Sequence, residues 1–452
     1  MGNSRRRFIQ TTGTLSIAGI AMPSMAVNPS FWRISSEESG IRSLFSSNRE
    51  DALELTERIF QKCVLDKIRE PQPPLKFRWV QPGGPYYVGQ WIWDTMFVVD
   101  LLSLLPDTQQ LIREIFQNYW DFQDRWNDTV PDFAKDMITV AIKTFPQELR
   151  QFSQIPILAW GLERVFSRNG DKKLVELCLP RLEKWHDWYW RERDVTNIGM
   201  VTIGSYSGNV QHARWETFDY ECNMDDLALQ KHPVRKGDSE GAWYGNMWVT
   251  GNTSYLVMGE KSLVRLAEAV GDKAMAARRQ PFIDKAVQAM RKYMWDEEAG
   301  TFLSVRMDNM EKIPVATISS WMPLVAGVPT KEMAQRMAEV LSTDAWQNPL
   351  PVPTVDRNDP RWKPDAFWRG DMWPPTNYQI ASGLASYGHT ELAALIADKT
   401  VENAILNGLS EHYNSETGQP LGVRDYCMAS TIATLMLDGL TSKYKLEIKT
   451  RN

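Results

Sequence analysis

The sequence predicts an all-helical protein, and three observations carry that prediction. Apolar residues recur at spacings of three and four in roughly a dozen stretches; the period-two alternation of strands is scarce; and the stretches are joined by connections rich in Gly, Pro and Trp. The bulk composition suits a globular chain of this kind: 452 residues, 43% hydrophobic, with 51 Lys+Arg against 56 Asp+Glu for a net charge of −5. Charges of both signs are interspersed, so no basic stripe is available to a phosphate backbone and a nucleic-acid partner is not expected. The 19 Trp residues supply flat apolar faces well beyond ordinary usage.

Taken in order, the chain opens on a segment to be set apart from the fold. Ser4, Arg5, Arg6, Arg7, Phe8, Ile9 and Gln10 form a twin-arginine pattern, followed by a weakly apolar run from Leu15 to Met22 and small residues at Ser24 and Ala26. This reads as a Tat-type export signal over residues 1–26, with a linker at 27–40 and one domain at 41–452. The run is too short to span a bilayer, and no later segment reaches the roughly 18 apolar residues of a membrane helix. Helical patterns follow near residues 50–69 and 90–105. Asp107 is expected to cap the next helix, which puts Leu111, Ile112, Ile115, Phe116, Tyr119 and Phe122 on one face. Further patterns lie near 154–168, 172–193 and 247–260. Ser262 is read as opening a run that stops at Gly271, and a second run from Lys273 to Trp295 completes a helical hairpin. The patterns at 331–342 and 376–387, a run capped by Thr390 and ending before Gly408, and one at 426–438 close the set.

Three connections are too long to be mere turns: 70–89, 196–246 and 345–374. Loops of this length in a compact protein are functional or disordered, and the Trp and Tyr content of these marks them as site-building. Cys63, Cys178, Cys222 and Cys427 are scattered without a C-x-x-C pair, and the five His form no ligand cluster. No metal and no cofactor is expected. Carboxylates, in contrast, share the loops with indoles. Trp215, Glu216, Asp219, Glu221, Asp225 and Asp226 crowd one loop, and Glu411 precedes the turn-like Thr417, Gly418. Glycoside hydrolysis requires one protonated and one ionised carboxyl, with aromatic walls that raise the pKa of the first.

The motifs themselves resemble a known family. Pro82, Gly83, Gly84 and then Gly89, Gln90, Trp91, Ile92, Trp93, Asp94 resemble the entry motif of trehalases and of glycoside hydrolase family 63, mannosylglycerate and glucosylglycerate hydrolases included. Gln154, Ile155, Pro156; Trp295, Asp296 with Gly300; Phe367 to Tyr378; and Glu411 to Gly418 resemble that family's further motifs in order. The resemblance implies an (α/α)6 barrel of six helical hairpins whose loops at one end form a sugar pocket. It implies inversion of the anomeric centre, with Glu411 as general base and Asp219 as general acid. Met224, Asp225 is a competing alignment that makes Asp225 the acid. The remaining positions carried over for sugar binding are Trp91, Trp93, Asp94, Gln154, Trp215, Glu216, Trp368, Arg369, Asn377 and Tyr413. Pro85 and Val88 stand where trehalases carry Arg and Glu, which points away from trehalose and toward another α-linked glucoside, mannoside or short saccharide. An epimerase or isomerase on the same barrel, using His212 and His412, and a noncatalytic saccharide-binding protein are the alternatives.

Overall fold

A computed structural model describes residues 40–85, 87–142, 152–206, 234–236 and 242–449. The export segment, the acidic loop with His212, Trp215, Glu216, Asp219 and Asp225, and Cys222 lie outside the described residues.

Among the described residues twelve α-helices alternate along the chain between two environments, and a further short one spans Asp344–Gln347. Those of the first set are amphipathic: α1 (Glu50–Ile59), α3 (Gln109–Asn127), α5 (Lys172–Arg193), α7 (Lys273–Ala289), α9 (Lys331–Leu341) and α11 (Thr390–Asn407). Each turns one stripe inward, as α3 does with Leu111, Ile112, Ile115, Phe116, Tyr119 and Phe122, all buried. The second set is α2 (Ile92–Leu102), α4 (Leu158–Asn169), α6 (Thr250–Val270), α8 (Met322–Val325), α10 (Pro374–Ser386) and α12 (Thr431–Leu437). Short 3-10 turns lead into α8 (Ile318–Trp321) and α12 (Cys427–Ser430). Every residue of α2 is buried, as are the first ten positions of α10 except Ser382. A helix buried on all sides must sit inside the molecule. The contacts agree: α2 packs on α4, α4 on α6, α6 on α8, α8 on α10, α10 on α12, and the turn before α12 returns to α2. Six inner helices thus close a ring and six amphipathic ones surround it, which is an (α/α)6 barrel.

Strands are short. β1 (Phe45–Ser47) pairs with β6 (Leu446–Ile448) and ties the two ends of the described chain together. β2 (Gln90–Trp91) pairs with β3 (Ala141–Ile142), and β4 (Ser410–Tyr413) with β5 (Pro420–Arg424), all antiparallel.

Three expected helix starts shift. Asp107 is exposed with a left-handed φ of 60°, so it makes the turn before α3 and Thr108 takes the capping position; the Thr108 hydroxyl bonds back to Leu102 O and Leu105 O. Ser262 opens nothing, since α6 runs unbroken from Thr250. Its hydroxyl is satisfied by Met258 O one turn earlier and by Glu163, so the helix tolerates it. Thr390 is the first residue inside α11, after His389. Gly271 does end α6, with φ 89°, and the Asp272 side chain accepts from Met275 N to start α7 at once, closing the hairpin. Cys63, Cys178 and Cys427 are buried free thiols.

Candidate active site

Four of the five motif-bearing segments, those before α2, α4, α10 and α12, each lead into the N-terminus of an inner helix, and they meet at one end of the ring. The joining contacts are specific. The Gln154 side-chain oxygen, ahead of α4, accepts from Trp93 N at 2.8 Å and so satisfies a donor of the first turn of α2. Met372, ahead of α10, exchanges both backbone hydrogen bonds with Tyr413 on β4, each at 2.9 Å. Trp93 and Trp368 lie with ring centroids 5.9 Å apart.

Glu411 sits at this junction, 3% exposed. Its setting is a local consequence of the β4–β5 hairpin. The register is Ser410 with Arg424 but His412 with Leu421, so β5 carries one extra residue opposite Glu411. That bulge centres on Gly422, whose φ of 70° and lack of a Cβ are both required, because a Cβ there would lie 2.4 Å from Glu411 Oε2. The bend aims Val423 N at Oε2, to which it donates at 3.0 Å, while the Tyr87 hydroxyl donates to Oε1 at 2.6 Å. The carboxylate is held at both oxygens by one donor each, and further lone pairs remain for a water.

Asp94 lies in the first turn of α2, 2% exposed. Burial drives its pKa up, the Tyr426 hydroxyl on Oδ1 and the backbone draw it back, and the nearby Glu411 charge adds to the rise; the result is about 7. The rings of Tyr87 and Tyr426 touch at 5.1 Å, so the two carboxyls are held by adjoining phenols. This pairing, absent from the motif reading, is the main addition to the site. Gly422 carried a sequence signal, since a Gly inside a strand marks a bulge; Tyr87 and Tyr426 carried none.

The other expected residues divide. Trp91, Trp93 and Trp368 are buried at the junction, and the Nε1–H groups of Trp93 and Trp368 have no partner among the described residues. Trp368 takes φ 56°, a conformation that costs a non-glycine residue of order 1–3 kcal/mol. Arg369 is half-buried in the same loop. Gln154 is the helix-end acceptor already described. The Asn377 amide donates to Thr400 Oγ1 at 3.0 Å and to Pro351 O at 3.2 Å. The Tyr413 hydroxyl is spent on Gly408 O and Ser410 N, bracing the strand that carries Glu411. Asp371 enters unannounced: it is fully buried, hydrogen-bonded to Thr354 and Trp373, and 2.8 Å from His412 Nδ1. Among the described residues no group of three or more His, Cys, Asp or Glu could hold a metal ion.

Over residues 87–427 the sequence matches the family described as mannosylglycerate hydrolase MGH1-like glycoside hydrolase domain. The chain belongs to this family. Within the mannosylglycerate hydrolase-like group it is 23% identical to the mannosylglycerate hydrolase of Rubrobacter radiotolerans, across 83% of this chain and 97% of that one. The crystal structure of the family 63 mannosylglycerate hydrolase from Thermus thermophilus in complex with Tris superposes with a TM-score of 0.68 at 18% identity, covering 84% of this chain and 98% of that one. A periplasmic trehalase of Escherichia coli is 23% identical across 71% of this chain and 59% of the trehalase. The chain is a glycoside hydrolase of the family 63 and trehalase type, and the motif cluster at the N-terminal ends of the inner helices is the candidate active site.

Proposed function

We propose that the protein hydrolyses an α-linked glucoside, mannoside or related short saccharide with inversion, Glu411 acting as general base. The observation that carries this reading is the setting of Glu411: a buried carboxylate, held at both oxygens, at the loop end of the barrel beside the Trp91, Trp93, Asp94 motif. In the reaction Glu411 takes a proton from water as that water attacks the anomeric carbon, and a carboxylic acid across the sugar gives its proton to the departing oxygen. Asp219 is assigned the acid and Asp225 is the competing assignment. Asp94, poised between neutral and ionised near pH 7, is assigned to a sugar hydroxyl, which it can meet as donor or acceptor. The isomerase alternative requires a histidine facing the sugar, whereas His412 is stacked on Trp373 and engaged by Asp371.

The test is a screen of defined saccharides, mannosylglycerate and trehalose included, with proton NMR following the anomer first released. Glu411→Gln is expected to lower kcat by several powers of ten, and the same loss in one of Asp219→Asn and Asp225→Asn identifies the acid. A near-normal rate in Glu411→Gln removes that residue from the mechanism. We further propose export through the twin-arginine route. Replacing Arg5 and Arg6 by Lys should then retain the enzyme in the cytoplasm on fractionation, and unchanged distribution would reject export by this signal.

A further inference from the structure

Behind Glu411 stands a column of parallel rings that the proposed reaction does not use directly. The Trp368 and Trp373 rings stack at 4.0 Å with an interplanar angle of 8°. His412 continues the stack on Trp373 at 4.9 Å, again at 8°. Phe367 meets all three edge-on, at 6.0, 5.3 and 5.3 Å. The column ends on Trp93, 5.9 Å from Trp368. Glu411 and His412 are neighbours on β4, so their side chains leave on opposite faces and one strand serves the base and the column together.

Stacking alone lets rings slide and rotate, and Asp371 removes that freedom. It is fully buried. Its Oδ2 accepts from Trp373 Nε1 at 2.8 Å and lies 2.8 Å from His412 Nδ1, and its Oδ1 accepts from Thr354 at 2.7 Å. One carboxylate thus hydrogen-bonds the edge of Trp373 and anchors it to Thr354, while the His412 ring packs against the same carboxylate without a hydrogen bond to it. Trp368, pinned between Trp373 and Trp93 with a left-handed backbone, keeps an Nε1–H that has no partner among the described residues although the side chain is 2% exposed. Trp93 has the same unpaired donor at 0% exposure. Trp120, Trp295 and Trp321 also carry unpaired Nε1–H groups among the described residues, so what sets Trp93 and Trp368 apart is that theirs lie side by side in the motif loops at the Glu411 junction.

We propose that Asp371 and His412 are positioning residues for the sugar: together they hold the Trp373–Trp368 stack so that the edge of the Trp368 indole, with its Nε1–H, is fixed in place for the saccharide. This rests on the reading of the site as a glycosidase pocket. The test uses the mature enzyme, with Trp373→Leu as reference. Two stacked indoles couple their excited states, so wild type should show a circular-dichroism couplet that Trp373→Leu abolishes. Asp371→Ala and His412→Ala are expected to weaken that couplet, and to raise KM for the saccharide found in the anomer screen about tenfold with a smaller change in kcat, the scale of an aromatic contact. Asp371→Asn, whose amide oxygen can still accept from Trp373, should restore most of both signals, and His412→Phe, which keeps the stacked ring, should fall between wild type and His412→Ala. If Asp371→Ala does not fold, His412→Ala decides alone. A couplet and KM both unchanged in His412→Ala would overturn the proposal, as would a lost couplet with unchanged KM. If wild type cleaves no saccharide, the couplet and the calorimetric affinity for glucose and mannose still test the column, so failure of the enzymatic reading is recognised separately.

Discussion

At the scale of single residues, Glu411 and Asp94 are held by similar partners in different surroundings. Glu411 receives a phenol and a backbone N–H; Asp94 receives a phenol and little else while sitting in the dry first turn of α2. For Asp94 this has a consequence in stability. Its folded pKa is raised from 3.8 to about 7, with burial the dominant cause, so in that window the folded protein holds a proton that the unfolded chain has released. Its contribution to stability is therefore greatest below the window and declines as pH rises through it. Asp94→Asn, a neutral isostere whose oxygen still accepts from Tyr426, should match wild type in urea midpoint on the acid side of the window and exceed it above. Equal pH slopes for the two proteins would show that Asp94 is ionised throughout. The same substitution should weaken saccharide turnover, separating what the site needs from what the fold would prefer.

At the scale of elements, the outer and inner rings are riveted by buried ion pairs as well as by apolar stripes. Glu260, fully buried on α6, accepts from Arg279 of α7 at Oε1 and Oε2 and from Trp190 of α5, with His186 at 3.1 Å. Burial pushes the Glu260 pKa up, but the Arg279 hydrogen bonds and His186 outweigh it and leave it at about 2. The pair therefore stabilises the fold throughout the range above the ordinary glutamate pKa, and that support is lost only as pH falls toward 2. Arg279→Leu strands the carboxylate in an apolar setting and is expected to cost about 3–5 kcal/mol by chemical denaturation. A loss under about 1 kcal/mol would mean that Glu260 simply takes up a proton at little cost. Close approach adds to the same joint: a Cβ on Gly259 would lie 2.5 Å from His186 Cε1 and 2.9 Å from Pro156 O, so α6 meets α5 at a position where only glycine fits.

At the scale of the whole molecule, the ring must close between its first and last inner helices, and it does so differently at its two ends. At the loop end the closure is the site itself, through Tyr426 on Asp94. At the other end Asp438, just past α12, accepts from Arg164 and Arg168 of α4 and from Tyr378 of α10, while Asp100 of α2 faces the same two arginines. Four of the six inner helices share this cluster. Asp438→Ala should lower the unfolding free energy by about 3–5 kcal/mol as a single cooperative loss, because it leaves two guanidinium groups against one carboxylate. Loss confined to local fraying of the C-terminus on hydrogen exchange, with the global transition unmoved, would show that the ring closes without it.

Much of this was readable from the sequence. Spacings of three and four placed the outer helices, because an amphipathic stripe is a property of the chain's own neighbours; the α3 face emerged with the residues expected of it. The motif order located the loop end and the position of Glu411. Helix starts were less legible, since Ser262 looks like a cap by type and is an interior residue by virtue of a carbonyl one turn away. What only the tertiary structure decided is the pairing across the ring. Tyr87 reaches Glu411 over 324 residues and Tyr426 reaches Asp94 over 332, and neither tyrosine differs locally from one that packs in a core. Asp371 likewise becomes a tether only once Trp373 and His412 are folded against it. Periodicity and motif report what each segment prefers by itself, whereas partners brought together by closing a ring of six hairpins depend on how all the segments pack at once.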